Sequence, residues 1–182
     1  MKKTALFVAA LLAAAGACAQ TVKLQTTEGD IRIALDAEKA PKTVANFVRY
    51  VKAGHYNGLL FHRVIDGFMI QTGGYDAKLK QRPTKPPVPL ESHNGLSNLR
   101  GSVAMARTNE PNSATSQFFI NVTNNDMLNA PKPDGYGYTV FGKVVQGMDV
   151  VDKIRTVATV NRGMHQNVPV TPVAILSATE IK

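Results

Sequence analysis

The residues of this chain best suited to chemistry gather in one stretch, Phe61-His62-Arg63-Val64-Ile65-Asp66-Gly67-Phe68-Met69-Ile70-Gln71-Thr72-Gly73-Gly74. It opens in strand alternation, with Phe61, Arg63 and Ile65 on one face and His62 and Val64 on the other. Asp66-Gly67 reads as a turn, a second short apolar run follows, and a Gly-Gly pair ends it. Arg63, Phe68, Met69 and Gln71 therefore meet around one turn, with no paired carboxylate and no nucleophile. That inventory suits chemistry without proton transfer or covalent attack. The other candidates are weaker. His55, His62, His93 and His165 show no ligand spacing, so no metal site is expected. Ser113, Thr115 and Ser116 lack a G-x-S-x-G elbow and an acid–base partner, which argues against a hydrolase.

The elements that must position these residues are mostly strands. Val22–Thr26 and Ile31–Leu35 alternate around turn material at Glu28-Gly29-Asp30, a hairpin. From Pro41 to Ala53 the period changes, and Val44, Phe47, Val48 and Val51 fall at i, i+3, i+4 and i+7. Pro41 suits a helix first turn and Gly54 the residue after its end. One apolar stripe predicts a helix lying across an apolar surface. Tyr75–Asn98, with Pro83, Pro86, Pro87 and Pro89, reads as a long loop. Strands are predicted over 100–107, 117–122, 138–145 and 173–179, a short helix over 148–154, and loops over 108–115 and 124–136. Many short strands with two helices indicate an all-β barrel or sandwich, and periodicity does not choose between them.

The chain has 182 residues and 44% apolar content, enough for one globular domain. Met1-Lys2-Lys3, the apolar run Ala5–Ala15 and Ala17-Cys18-Ala19 form a secretory signal-peptide pattern, with cleavage expected after Ala19. The run is too short for a transmembrane helix. Ala15-Gly16-Ala17-Cys18 faintly resembles a lipoprotein site, which would anchor the protein through Cys18. The expected organisation is a signal peptide at 1–19 and one domain at 20–182 that contains no cysteine and hence no disulfide. Formal charge is +8, or +6 without Lys2 and Lys3. The basic residues are scattered, Lys78-Lys80-Arg82-Lys85 being the densest run, so a solvated surface rather than a nucleic-acid site is expected.

Three blocks carry a resemblance. The 61–74 stretch, Arg100–Arg107 with Ser116–Asn121, and Val140–Met148 occur in the order found in cyclophilin-type peptidyl-prolyl cis-trans isomerases, and the chain resembles that family over nearly all of 22–182. The resemblance implies a mainly β fold, a closed eight-stranded antiparallel β-barrel capped by two α-helices. It implies catalytic roles for Arg63, Phe68 and Gln71. It places Met69, Phe119 and Leu128 with Phe68 in a proline pocket, and Gln117 beside Gln71 on the substrate backbone. The main chain of Ala106 and Arg107 would pair with the peptide, and Met127 and Tyr138 would border the pocket. Strand alternation supports one split directly: Gln117 and Phe119 share a face that Phe118 does not. Met127 stands where many members have a tryptophan and Tyr138 where they often have histidine; Arg107 replaces a small polar residue. The first two replacements resemble the periplasmic bacterial branch, and the missing tryptophan, which cyclosporin uses in the family, implies weak cyclosporin binding.

Such an enzyme would be exported to the periplasm, monomeric and cofactor-free, and would act on X-Pro segments of unfolded chains or loops. A proline-peptide binding module or chaperone on the same fold is the alternative. Arg63 favours the enzyme, because binding alone would tolerate its loss.

Overall fold

The computed structural model describes residues 20–181; the signal-peptide and Cys18 readings lie outside the described residues. The amphipathic 41–53 stretch forms helix α1 (Pro41–Lys52), and its four apolar-stripe residues are all buried. Ala40, at its N-terminus, offers no side-chain cap. Glu91, from the long proline-rich loop, supplies one: its carboxylate accepts from the N–H groups of Lys42 (3.1 Å) and Thr43 (2.8 Å) and from the Thr43 hydroxyl (2.7 Å). An acid at a helix N-terminus satisfies orphan donors and suits the dipole.

Eight strands form one antiparallel sheet. In chain order they are β1 (Thr21–Thr26), β2 (Gly29–Leu35), β3 (Arg63–Ile65), β4 (Met69–Thr72), β5 (Ser102–Met105), β6 (Phe118–Asn121), β7 (Val140–Gln146) and, after a separate hairpin of β8 (Thr159–Arg162) and β9 (His165–Pro169), β10 (Ile175–Ile181). The sheet order is β10-β1-β2-β7-β5-β6-β4-β3. It curls until its edges meet, but β10 and β3 share no ladder. The seam holds one isolated bridge, Leu60 to Ala174, flanked by Phe61 N–H to Val173 O (2.9 Å) and Ile175 N–H to Leu59 O (2.9 Å). Eight antiparallel strands and two helices agree with expectation; continuous closure does not. β3 has three residues and starts beyond the seam, so there is no strand there to complete the ring.

The concave side holds the main core. Ile70, Ile120 and Val103 are register partners pointing inward across β4, β6 and β5. Phe47 of α1 meets Tyr56, Phe118 and Phe141 with ring centroids 5.1–5.3 Å apart. Helix α2 (Met148–Arg155) adds Val151 and Ile154. Phe61 also lies in this core, fully buried beside Val64. The alternation had placed Phe61 with Arg63. It precedes β3, on the seam segment, so strand parity does not apply to it. The β8–β9 hairpin falls in a stretch, 156–172, where the sequence reading found no element: its Thr, Asn, Arg, His and Gln side chains give no apolar period.

Candidate functional site

Register builds the site. Paired residues of neighbouring strands point to the same face. One outward row runs Arg63 (β3), Gln71 (β4), Phe119 (β6), Ala104 (β5) and Val140 (β7), five consecutive register partners. The next row pairs Ile65 with Met69 and Met69 with Asn121. A second apolar cluster forms on this convex face: Met69, Ala104, Phe119, Leu128 and Val140, with Phe68 and Tyr138 partly buried against it. Phe118 and Phe119 are thus split between the two sides of the sheet, as alternation requires.

The polar edge adjoins this pocket. Arg63 is half-buried and donates from Nη1 to Gln71 Oε1 (3.3 Å), and Gln71 Nε2 donates to Gln117 Oε1 (3.0 Å). Among the described residues no carboxylate pairs with Arg63, whereas Arg100, Arg107 and Arg155 each hold an aspartate. Burial lowers the Arg63 guanidinium from its usual value, with the Tyr138 ring hydroxyl opposing the shift. Beside it, His62 is 5% exposed and burial pushes its imidazole down to about 4, so it is neutral at pH 7.

Loops complete the walls through a buried amide network. Asn121 Nδ2 donates to Asn98 Oδ1 (3.1 Å) and Ser102 Oγ (2.8 Å). Asn125 Nδ2 donates to Asn121 Oδ1 (2.7 Å) and to the Phe68 carbonyl (2.8 Å). The network ties the turn carrying Phe68 to the single-turn 3-10 helix 126–128 that carries Leu128. Tyr138 packs edge-on to Phe119 at 5.7 Å. Its other side lies under the Arg107 guanidinium, 4.6 Å from the ring centroid. The Arg107 side chain is 2% exposed and donates to Gly137 O (2.8 Å) and Asp134 (2.7 Å). That side chain is a strut for the 131–138 loop.

Most of the residues picked from sequence come together on the convex face: Met69, Phe119 and Leu128 pack with Phe68 and Tyr138 in the apolar cluster, and Arg63, Gln71 and Gln117 form the hydrogen-bonded row beside it. Met127, expected at the border, is 54% exposed in the same 3-10 turn as Leu128. The Ala106 N–H is committed to the Gln117 carbonyl (3.0 Å) and is not free to pair with a peptide. Ser116, raised and set aside as a nucleophile, is fully buried and donates to Gly73 O (2.7 Å). Among the described residues no three His, Cys, Asp or Glu side chains cluster as metal ligands. Sequence reading missed Asn98, Asn121 and Asn125, which carry no pattern, and Gly74. A Cβ on Gly74 would lie 2.6–2.8 Å from the Gln117 side chain, so this glycine makes room for the Gln117 amide.

Residues 21–180 match the family described as cyclophilin type peptidyl-prolyl cis-trans isomerase/CLD. The chain is 57% identical over 161 residues to peptidyl-prolyl cis-trans isomerase A of Dickeya dadantii, covering 88% of this chain and 84% of that one. It is 55% identical over 160 residues to peptidyl-prolyl cis-trans isomerase B of Escherichia coli, covering 87% and 98%. A Cryptosporidium parvum cyclophilin-type isomerase, solved in the presence of the dipeptide Ala-Pro, superimposes with a TM-score of 0.75 at 25% identity. That match covers 90% of this chain and 99% of that one.

Proposed function

This chain belongs to the cyclophilin-type peptidyl-prolyl cis-trans isomerase family and is an isomerase of X-Pro bonds, and from that premise we propose how its site does the work and on which substrates. The barrier to amide rotation, about 18–20 kcal/mol, is resonance between nitrogen and carbonyl. In the twisted transition state the carbonyl is less polarised and the nitrogen regains a lone pair. An apolar, water-poor pocket favours the twisted state, and a donor aimed at the prolyl nitrogen stabilises it further.

In this reading the ring of the substrate proline enters the convex apolar cluster between Phe68, Met69, Phe119 and Leu128. Arg63 donates to the twisted amide, while Gln71 and Gln117 hold the flanking backbone. The Ala106 carbonyl and Arg107 main chain align the peptide. The observation that carries the assignment is the state of Arg63: half-buried at the pocket edge, pinned by one neutral amide, its remaining N–H groups free of any carboxylate among the described residues. No step needs a cofactor. The N-terminal leader pattern supports a role in the periplasm, on exported chains whose X-Pro bonds must isomerise during folding. The exposure of Met127, in place of a rim tryptophan, supports weak cyclosporin binding.

The test is isomerisation of a short X-Pro peptide by the 20–182 protein and by Arg63→Ala. A charged hydrogen bond of about 1.5–3 kcal/mol corresponds to roughly a ten- to hundredfold loss of kcat/KM. The melting temperature should stay near wild type. A variant that keeps full rate removes Arg63 from the mechanism; a folded wild type with no rate above background makes the site a proline-binding module.

A further inference from the structure

The unforeseen β8–β9 hairpin stands against the catalytic edge. His62, Tyr75 and His165 stack edge to face, with ring centroids 4.7 Å apart at each step, and so fasten the start of β9 beside Arg63. Between hairpin and barrel lies a cleft of about 270 Å3. It shares Arg63, Gln71 and Gln117 with the site already described, and its other wall is Tyr75, Met164, His165 and Gln166. The turn sets Arg162 opposite His165, which leaves Met164 at the tip, 98% exposed.

The chemistry of this lining is one-sided. It holds a guanidinium, amides, a phenol and imidazoles, and no carboxylate. Among the described residues the Tyr75 hydroxyl, the His165 ring nitrogens and the Gln166 amide make no hydrogen bond to protein, so their donors face the cleft uncommitted. The nearby acids are occupied: Asp66 is paired with Arg155, and Asp76 accepts from the N–H groups of Lys78 (2.8 Å) and Lys80 (3.0 Å). The positive net charge favours an acidic ligand in the same sense.

We propose that this cleft is a subsite for an acidic side chain, Asp or Glu, within one or two residues of the isomerised X-Pro bond. The assignment rests on the isomerase reading above. A strand rises about 3.3 Å per residue, so a peptide whose proline fills the apolar pocket carries its neighbours past Arg63 and onto the hairpin. Gln166, His165 and Tyr75 take the carboxylate, and Arg63 remains with the amide.

The experiment compares kcat/KM for X-Pro peptides that differ only in Glu, Gln or Lys at one flanking position, scanned on both sides. Wild type should prefer Glu over Lys about three- to tenfold at low salt at one of those positions, as expected for partly exposed charge contacts, and salt should shrink the ratio. Gln166 is exposed, so charge changes there leave the core intact. Gln166→Glu should lower the Glu-to-Lys ratio and Gln166→Arg should raise it. Equal Glu and Lys rates at every position, or a ratio that neither variant moves, overturns the subsite. Background rates for all three peptides would instead overturn the isomerase reading, a distinct result.

Discussion

His62 and Arg63 are sequence neighbours under the same burial, with opposite consequences. The arginine stays charged, because burial lowers its pKa from a very high starting point. The histidine, pushed to about 4, loses its charge throughout the neutral range. With His62 neutral and no proton moved in the reaction by this reading, kcat/KM for a peptide without charged side chains should be flat from about pH 6 to 9. An inflection near the ordinary histidine value would contradict a mechanism without proton transfer. Stability behaves differently. The unfolded chain binds a proton at His62 near pH 6.5 and the folded chain only near 4, so stability is lost as pH falls across that window. By pH 4.5 the loss from this residue approaches roughly 2–3 kcal/mol. Urea midpoints at pH 7.5 and 4.5 should separate less in His62→Gln than in wild type. Asp134 and Asp152, held low chiefly by hydrogen bonds from Arg107 and Arg100, add a further loss only at lower pH, through and below the usual carboxylate range.

Elements position the site through contacts that no local pattern announces. Helix α1 has a clear apolar period, yet its first turn is finished by Glu91, nearly fifty residues away. Glu91→Ala should cost about 1 kcal/mol, read as a drop in denaturant midpoint with unchanged slope, and leave kcat/KM almost untouched. Gly74 predicts the reverse. Its backbone is not left-handed, and the atoms a Cβ would meet are the far end of one flexible side chain. Gly74→Ala should therefore displace the Gln117 amide from Gln71 and lower kcat/KM several-fold with a melting temperature near wild type. A large loss of stability would mean that the backbone, and not the Gln117 amide, absorbs the added methyl. Arg107 belongs at this scale too: its side chain braces the loop beneath Tyr138.

The whole molecule is a sheet with two apolar faces. The concave face encloses the larger cluster, and the convex face carries a smaller one with Phe68 and Tyr138 partly buried against it. The centre of the first is Phe47, in contact with three other rings. Phe47→Ala should cost about 3–5 kcal/mol, a fall of many degrees in melting temperature, because a cavity there faces residues from both the helix and the sheet. The same truncation at Phe119, on the convex side, should weigh more on activity than on stability. Closure of the barrel rests on a short seam next to Arg63, so the proposed site and the join of the sheet are neighbouring structures.

The sequence by itself determined the strands of the main sheet, the two α-helices and the split of Phe118 from Phe119. Period and turn chemistry act within a few residues, and the three motif blocks are contiguous. Tertiary structure alone decided that Phe61 joins the core rather than Arg63's face, that the barrel closes through one bridge, and that a polar hairpin stands beside Arg63. Those outcomes depend on register between strands far apart in the chain and on side chains such as Glu91, Asn121 and Arg107 meeting distant partners. Local periodicity has no term for such contacts, because the free energy that selects them is released only when the whole sheet has curled.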